Sequence, residues 1–383
     1  MQEDRIAINI ELADDVIESV QILSRRNLRA CRIFHDRTAG QVLECLPLIY
    51  HVCGKAHTLA AQHALARAAG MEPAMTGLAL LPMLVETCRE HARRILLDWP
   101  AMCGAEPDNA AMLRIQNKLH EIQTALRTDN IGGLQKALLQ LQLALRQDIY
   151  GAIHITTNGW TSVAELLDWC RQSTHRAASL PHYVIQHGMQ AFAQCDVLTL
   201  TLQDIDDPFV ETMLEQDKDG GFVSRPHWQA QTYETGPLAR MRDQPLLQAV
   251  QAEYGNGLLT RLTASLLELL QLPRAMQALL DNRGIERFIR VGKCEPRGAA
   301  TVMVEAARGC LWHRVEMQNN KVRRYQILAP TEWNLHPEGA LVQGLRGTKV
   351  DDAAGLTDQI TLIFMAMDPC VACDITVSSY GCV

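Results

Sequence analysis

Aliphatic side chains spaced three and four apart run through most of the middle of this chain. Residues 75–97, 108–147, 161–173 and 244–282 all carry that period, and Asp129-Asn130-Ile131-Gly132-Gly133 breaks the second stretch. An apolar helix face is stable only when something covers it, so stretches of this length must pack on one another. Hydrophobic residues make up 48% of the chain and aromatics only 5%, so the cover is aliphatic. A further stripe runs from Thr38 to Ala69, where Val42, Cys45, Leu46, Ile49, Cys53, Ala56 and Ala60 share one face. Pro47 is expected to kink this helix.

The character changes at about Gly284. Phe288-Ile289-Arg290-Val291, Thr301-Val302-Met303-Val304 and Leu311-Trp312-His313-Arg314-Val315 read as strands, and Val315 to Ile327 as a hairpin turning near Gln318-Asn319-Asn320. Near the start, Arg5-Ile6-Ala7-Ile8-Asn9-Ile10 alternates like a strand, while 203–236 is loop-like. The expected organisation is a short mixed segment over 1–36, a helical bundle over 37–283, and a β section over 284–383 that ends in a helix and strand. The fold class is therefore mainly α with a small β section, α+β.

A net charge of −7 and the lack of a basic run argue against a nucleic-acid protein. Met1-Gln2-Glu3-Asp4 is acidic with no apolar run behind it, and no apolar run follows Arg25-Arg26, so no export signal is expected. The apolar stretch from Leu78 to Val85 is too short to span a bilayer. A cytoplasmic protein without membrane insertion follows. In a reducing compartment, 12 cysteines are not a disulfide framework. Cys45, Cys88, Cys170 and Cys195 sit among apolar residues and read as small core side chains, and Cys382 as an exposed end.

One cysteine pair is different. Asp368-Pro369-Cys370-Val371-Ala372-Cys373 looks like a helix start, with Asp368 as cap and Pro369 at the first helical position. Cys370 and Cys373 would then share a face at the positive end of the helix dipole, which favours the thiolate that binds soft metals. Alone, the pair could be a redox couple, half of a zinc site or half of a thiolate cage. Zinc would need two more ligands, and there is no second Cys-x-x-Cys. The nearest complement is His51-Val52-Cys53-Gly54-Lys55-Ala56-His57 on the first apolar helix. Its blander reading is a buried cysteine beside a surface histidine.

Other segments decide between these readings. Tyr233-Glu234-Thr235-Gly236-Pro237-Leu238-Ala239-Arg240, Glu305-Ala306-Ala307-Arg308-Gly309 and Ala329-Pro330-Thr331-Glu332-Trp333-Asn334 stand between the two cysteine elements. In this order, the five segments resemble the large subunit of nickel–iron hydrogenases over about residues 37–377. That resemblance implies a fold of the same kind. It also implies an iron carrying cyanide and carbon monoxide, held with nickel by four thiolates. Arg308 matches the family arginine beside the diatomic ligands, and Thr331 matches the hydroxyl donor after Pro330. Cys53, Cys370 and Cys373 match three of the thiolates, and His57 is a further metal candidate. Cys310 is expected to serve packing.

The departures are as informative. The family's second N-terminal cysteine falls on Ala56, its nearby histidine on Ala60, and its terminal histidine on Thr376. Cys31 falls where the enzymes carry a proton-transferring glutamate, and no removable extension is expected after Cys373. A cage of four thiolates cannot be rebuilt from three, so nickel is not expected. An iron unit needs fewer protein ligands because cyanide and carbon monoxide fill its other positions. This pattern resembles the hydrogenase accessory proteins called HupK or HoxV. It implies a non-catalytic scaffold or chaperone that holds the iron–cyanide–carbon monoxide unit transiently. HypC/HypD-type maturation proteins are the implied donors and the hydrogenase large subunit the implied acceptor. The alternatives are a divergent catalytic large subunit, using His57 or Lys55 for the lost sulfur, and the quinone-reductase relative of hydrogenases. A plain zinc or redox protein would leave the other motifs unexplained.

Overall fold

The computed structural model describes residues 5–50, 52–151, 160, 162–292 and 298–379. The chain opens with strands β1 (Arg5–Ala13) and β2 (Val16–Ser24) and helices α1 (Ala39–Ile49) and α2 (Gly54–Ala68). A helical run follows: α3 (Gly77–Arg93), α4 (Trp99–Met102), α5 (Asn109–Arg127), α6 (Ile131–Leu145), α7 (Val163–Gln172) and α8 (Ser179–Gln186). Shorter pieces come next, β3 (Leu198–Leu200), α9 (Phe209–Gln216), α10 (Gly221–Ser224), β4 (Tyr233–Thr235) and α11 (Pro237–Arg240). Helices α12 (Pro245–Tyr254) and α13 (Leu258–Leu280) precede strands β5 (Ile289–Val291), β6 (Ala299–Ala306), β7 (Gly309–Gln318) and β8 (Lys321–Leu328). The described chain finishes with α14 (Pro330–Asn334), α15 (Ala340–Leu345), α16 (Leu356–Ala366) and β9 (Ala372–Ser379). The fold is mainly helical with small sheets, as the periodicity predicts.

These elements form two compact units. The first joins Met1–Ala74, Phe192–Ala239 and Glu286–Val383; the second joins Met75–Ala191 and Arg240–Ile285. The three-part division expected from sequence, with boundaries at 36/37 and 283/284, is therefore not the one the structure adopts. The apolar stripe of α2 lies on β6 and β7. All eight residues of β6 are buried, so that sheet needs a covering helix, and α2 supplies it.

In the first unit, β5-β6-β7-β8 form an antiparallel sheet in that order. The turn between β7 and β8 falls on Asn319 and Asn320, both with φ near +53° to +60°, which asparagine tolerates. A second sheet has the order β2-β1-β9. Here β1 and β2 are antiparallel through a turn at Asp14 and Asp15, while β9 runs parallel to β1 from Arg5↔Ala372 to Leu12↔Ser379. In the second unit, α3, α5, α6 and α13 pack on one another. Helix α13 is buried on every side from Leu258 to Leu269, as a central helix must be. Its buried Glu268 is joined by Arg240, through Nη2 at 2.8 Å and also through Nε, and by His91 Nε2 at 2.7 Å.

Three local expectations are corrected. The expected helix over Thr38 to Ala69 is two helices, and α1 ends beyond Pro47 at Ile49. The stretch 203–236, expected as loop, holds α9, α10 and β4. The expected helix at Asp368 is a bend followed by strand β9. Asp368 instead ends the preceding helix: it follows α16 with φ +50°, its N–H donates to Met365 O at 3.1 Å, and Pro369 bars continuation. The alternation Ile375, Val377 then matches the open side of β1.

Cys88, Cys170 and Cys310 are buried, whereas Cys45 and Cys195 are partly exposed; Cys382 and His51 lie outside the described residues. Among the described residues no helix is long and apolar enough to cross a membrane.

Candidate functional site

Between α1 and α2 the backbone breaks, and Cys53 becomes the residue that caps α2, with φ −122° and ψ 37°. The first two turns of α2 then bury Ala56, His57 and Ala60. A thiol is thus set at one corner and an imidazole one turn inward. The position that would carry a second thiol holds the buried methyl of Ala56.

Arg308 is placed by a tight reversal from β6 to β7. Gly309 has φ +124°, and a Cβ there would sit 2.2 Å from Thr235 Oγ1. Gly236 has φ +108°, and a Cβ there would sit 2.9 Å from Arg308 O. Two glycines therefore let the Thr235-Gly236 and Arg308-Gly309 backbones touch. Hydrogen bonds lock the contact: Cys310 N donates to Thr235 Oγ1 at 2.8 Å, Thr235 N to Asn334 Oδ1 at 2.8 Å, and Asn334 Nδ2 to Arg308 O at 3.2 Å. The Thr-Gly-Pro segment and the final Asn of Pro-Thr-Glu-Trp-Asn thus serve to position Arg308. The guanidinium is buried, with Nη2 3.7 Å from Asp368 Oδ1.

Pro330 opens α14, where its missing N–H costs nothing. Thr331 follows, and its Oγ1 stands 3.4 Å from Cys370 Sγ. Glu332 pairs with Arg26, and both side chains are largely buried.

These pieces enclose a cavity of about 400 Å³ in the first unit. Cys53, His57, Arg308, Pro330, Thr331 and Cys370 all line it, together with Arg26, Tyr50 and Glu332. Six of the seven site residues expected from sequence are thus brought together. Cys373 is not among the lining residues. It lies on β9 opposite Ile6, and burial, then the charge of Asp374, raises its thiol pKa. The activated helix-start thiolate expected there is replaced by a strand thiol pushed toward its neutral form. Among the described residues, no three or more His, Cys, Asp or Glu side chains are grouped so that they could hold a metal ion. Cys31 lines a separate cavity, its Sγ donating to Tyr325 O at 3.1 Å, and burial raises it to about 11. Cys310 is core: its Sγ donates to Glu305 Oε1 at 3.3 Å within the apolar cluster around Trp312 and Trp333. Lys55 is exposed on the outer side of α2.

The electrostatics of the cavity favour neutral imidazole. Burial, aided by the charge of Arg26, lowers the His57 pKa to about 3. Its ring stacks on Tyr50, with centroids 4.2 Å apart and planes at 15°. Its Nδ1 meets His313 Nε2 at 2.9 Å, and His313 Nδ1 meets the Tyr325 hydroxyl at 2.7 Å. Sequence reasoning missed His313, Tyr325 and Arg26. His313 and Tyr325 sit inside ordinary-looking strands, and only the alternation of β7 and β8 could have shown that they share a face with the residues under α2.

Comparison with known proteins bears on what such a cavity is for. A family model described as nickel-dependent hydrogenase matches residues 249–376. The hydrogenase expression/formation protein HoxV of Cupriavidus necator is 30% identical over 373 residues, covering 91% of this chain and 91% of that protein. The hydrogenase expression/formation protein HupK of Bradyrhizobium diazoefficiens is 29% identical, covering 96% and 95%. Among solved structures, the Ni-Fe-Se hydrogenase of D. vulgaris Hildenborough in the reduced state aligns with a TM-score of 0.58 at 19% identity, covering 94% of each chain. At that identity the likeness speaks for the fold.

Proposed function

The chain belongs to the hydrogenase expression/formation proteins of the HoxV and HupK kind, and from that premise we propose that it is a non-catalytic maturation scaffold. It holds an iron unit carrying cyanide and carbon monoxide while a nickel–iron site is being assembled, then releases it to a hydrogenase large subunit. HypC/HypD-type proteins are the proposed donors.

The observation that carries this reading is the single cavity that two thiols share with a buried arginine and a hydroxyl. Cys53 and Cys370 are the proposed iron ligands, each binding as thiolate after losing its proton. Arg308 and Thr331 supply donors for the cyanide nitrogens. A charge-assisted hydrogen bond of this kind contributes about 1.5–3 kcal/mol. Ala56 leaves the thiolate set short of a nickel cage, so nickel is not part of the proposed cargo. Few protein ligands also suit release: a unit held by two thiolates detaches more readily than one held by four.

The test is infrared spectroscopy and metal analysis on one sample, purified from a host that matures hydrogenase. Bands of iron-bound cyanide and carbon monoxide, with iron and little nickel, are expected. Stoichiometric nickel without diatomic bands would sink the proposal. One observation favours a second reading, a divergent catalytic subunit: His57 lines the cavity beside Cys53 and offers a further nitrogen. That reading requires hydrogen-dependent dye reduction by the chain with a small subunit.

A further inference from the structure

His57 lies where an added metal ligand would be sought, but its hydrogen bonds indicate a different task. The ring has two nitrogens. Nδ1 is turned to His313, so Nε2 is the one left for the cavity that His57 lines. Whether Nε2 carries a lone pair or a proton depends on a chain that starts at Tyr325. In a neutral imidazole one nitrogen donates and the other accepts, so the direction of one bond in the chain sets all the others.

That direction follows from acid–base strength. Between His313 Nδ1 and the Tyr325 hydroxyl, 2.7 Å apart, the phenol is the stronger acid and the imidazole nitrogen the stronger base. The hydroxyl is buried, and His313 Nδ1 is its hydrogen-bond partner among the described residues. A buried O–H that did not donate would forfeit its bond. Tyr325 therefore donates to His313 Nδ1. His313 must then hold its proton on Nε2 and donate it to His57 Nδ1, across 2.9 Å. His57, accepting at Nδ1, carries its own proton on Nε2.

We propose that the Tyr325–His313–His57 chain locks His57 as an N–H donor aimed into the cavity, so that it hydrogen-bonds the cyanide nitrogen of a bound unit and does not ligate the metal. Tyr325 and His313 are positioning residues, acting through His57. The stack on Tyr50 holds the plane of the ring. The cavity then offers three donors, from Arg308, Thr331 and His57, around two thiols. The part concerning cyanide rests on the scaffold reading above; the proton assignment does not.

Two measurements separate these parts. In the metal-free full chain with nitrogen-15 histidine, long-range proton–nitrogen spectra should show His57 and His313 both protonated on Nε2, with peaks assigned from His57→Phe and His313→Gln. Tyr325→Phe removes the directing donor, so His57 should then populate both tautomers. A wild-type His57 protonated on Nδ1 overturns the proposal, whatever the protein's role. In chain loaded in a maturing host, His57→Phe should shift the cyanide bands and leave the iron content unchanged. Loss of iron with that variant would make His57 a ligand, and unshifted bands would remove it from the site; either overturns the donor role. Correct tautomers in a protein that never shows diatomic bands would leave the proton assignment standing and refute the scaffold reading.

Discussion

Arg308 depends on the glycine at its C-terminal side and on Gly236 across the contact. Both have φ values that side chains strain to adopt, and both face backbone or a short side chain at less than 3 Å from an added Cβ. Gly309→Ala is expected to destabilise the protein by roughly 1–3 kcal/mol, with Gly236→Ala similar, as measured by urea denaturation. Both should also weaken iron-unit binding, since the guanidinium moves with its backbone. The thiols divide differently. Cys53→Ala and Cys370→Ala should each abolish the iron-bound cyanide and carbonyl bands, whereas Cys373→Ala should keep them, because Cys373 lies on β9 and is not among the residues that line the cavity. Bands lost with Cys373→Ala alone would place the anchor on the strand. At this scale the motifs were informative. That Arg308, Thr331, Cys53 and Cys370 belong together in one cavity was legible because each motif couples a reactive side chain to a fixed local turn. The roles of His313 and Tyr325 were not, because a histidine or tyrosine in a strand looks the same whether it packs or donates.

Among the elements, β9 shows how a local preference loses to a partner. Asp-Pro before two thiols favours a helix start, yet β1 presents an open row of backbone groups beside buried Ile6, Ile8 and Ile10. Pairing satisfies that row over eight residues, more than a short helix at this point could return. Helices α5 and α6 were legible, since period and breaker agreed there. Helix α13 brings a buried charge with it. Burial alone would raise the Glu268 pKa, but Arg240 and then His91 outweigh it and hold the carboxylate at about 2, against 4.5 ordinarily. The folded form binds fewer protons than the unfolded chain between those values. The contribution is therefore fully present above pH 4.5 and is lost as pH falls toward 2. Glu268→Gln, which removes the buried carboxylate charge that Arg240 and His91 share, should cost about 3–5 kcal/mol at neutral pH and flatten the acid limb of the stability profile. Denaturation curves taken between pH 7 and 3 would check both statements.

For the whole molecule, the two compact units are each assembled from separated stretches of chain. The first unit cannot complete its β2-β1-β9 sheet until the last described strand is made, and the same pairing delivers Cys370 to the cavity. Contacts of such long range close late and at an entropic cost. Removing residues 372–379 should bare the β1 edge, promote aggregation and abolish iron binding. Hydrogen exchange should find the amides of α3, α5, α6 and α13 still protected, since those helices belong to the second unit. Uniform loss of protection would show that the units fold as one. By itself, the sequence determined the helical bulk through its period, the small sheets through alternation and turn residues, and the identity of the cavity's reactive side chains through ordered motifs. Those are short-range properties, set by neighbours a few residues away. Only the tertiary structure decided that α2 covers a sheet, that Cys373 lies in a strand and outside the cavity lining, and that a tyrosine and two histidines form one chain. Each of these depends on which distant surface is available to bury or to pair, and that information is spread over the whole chain.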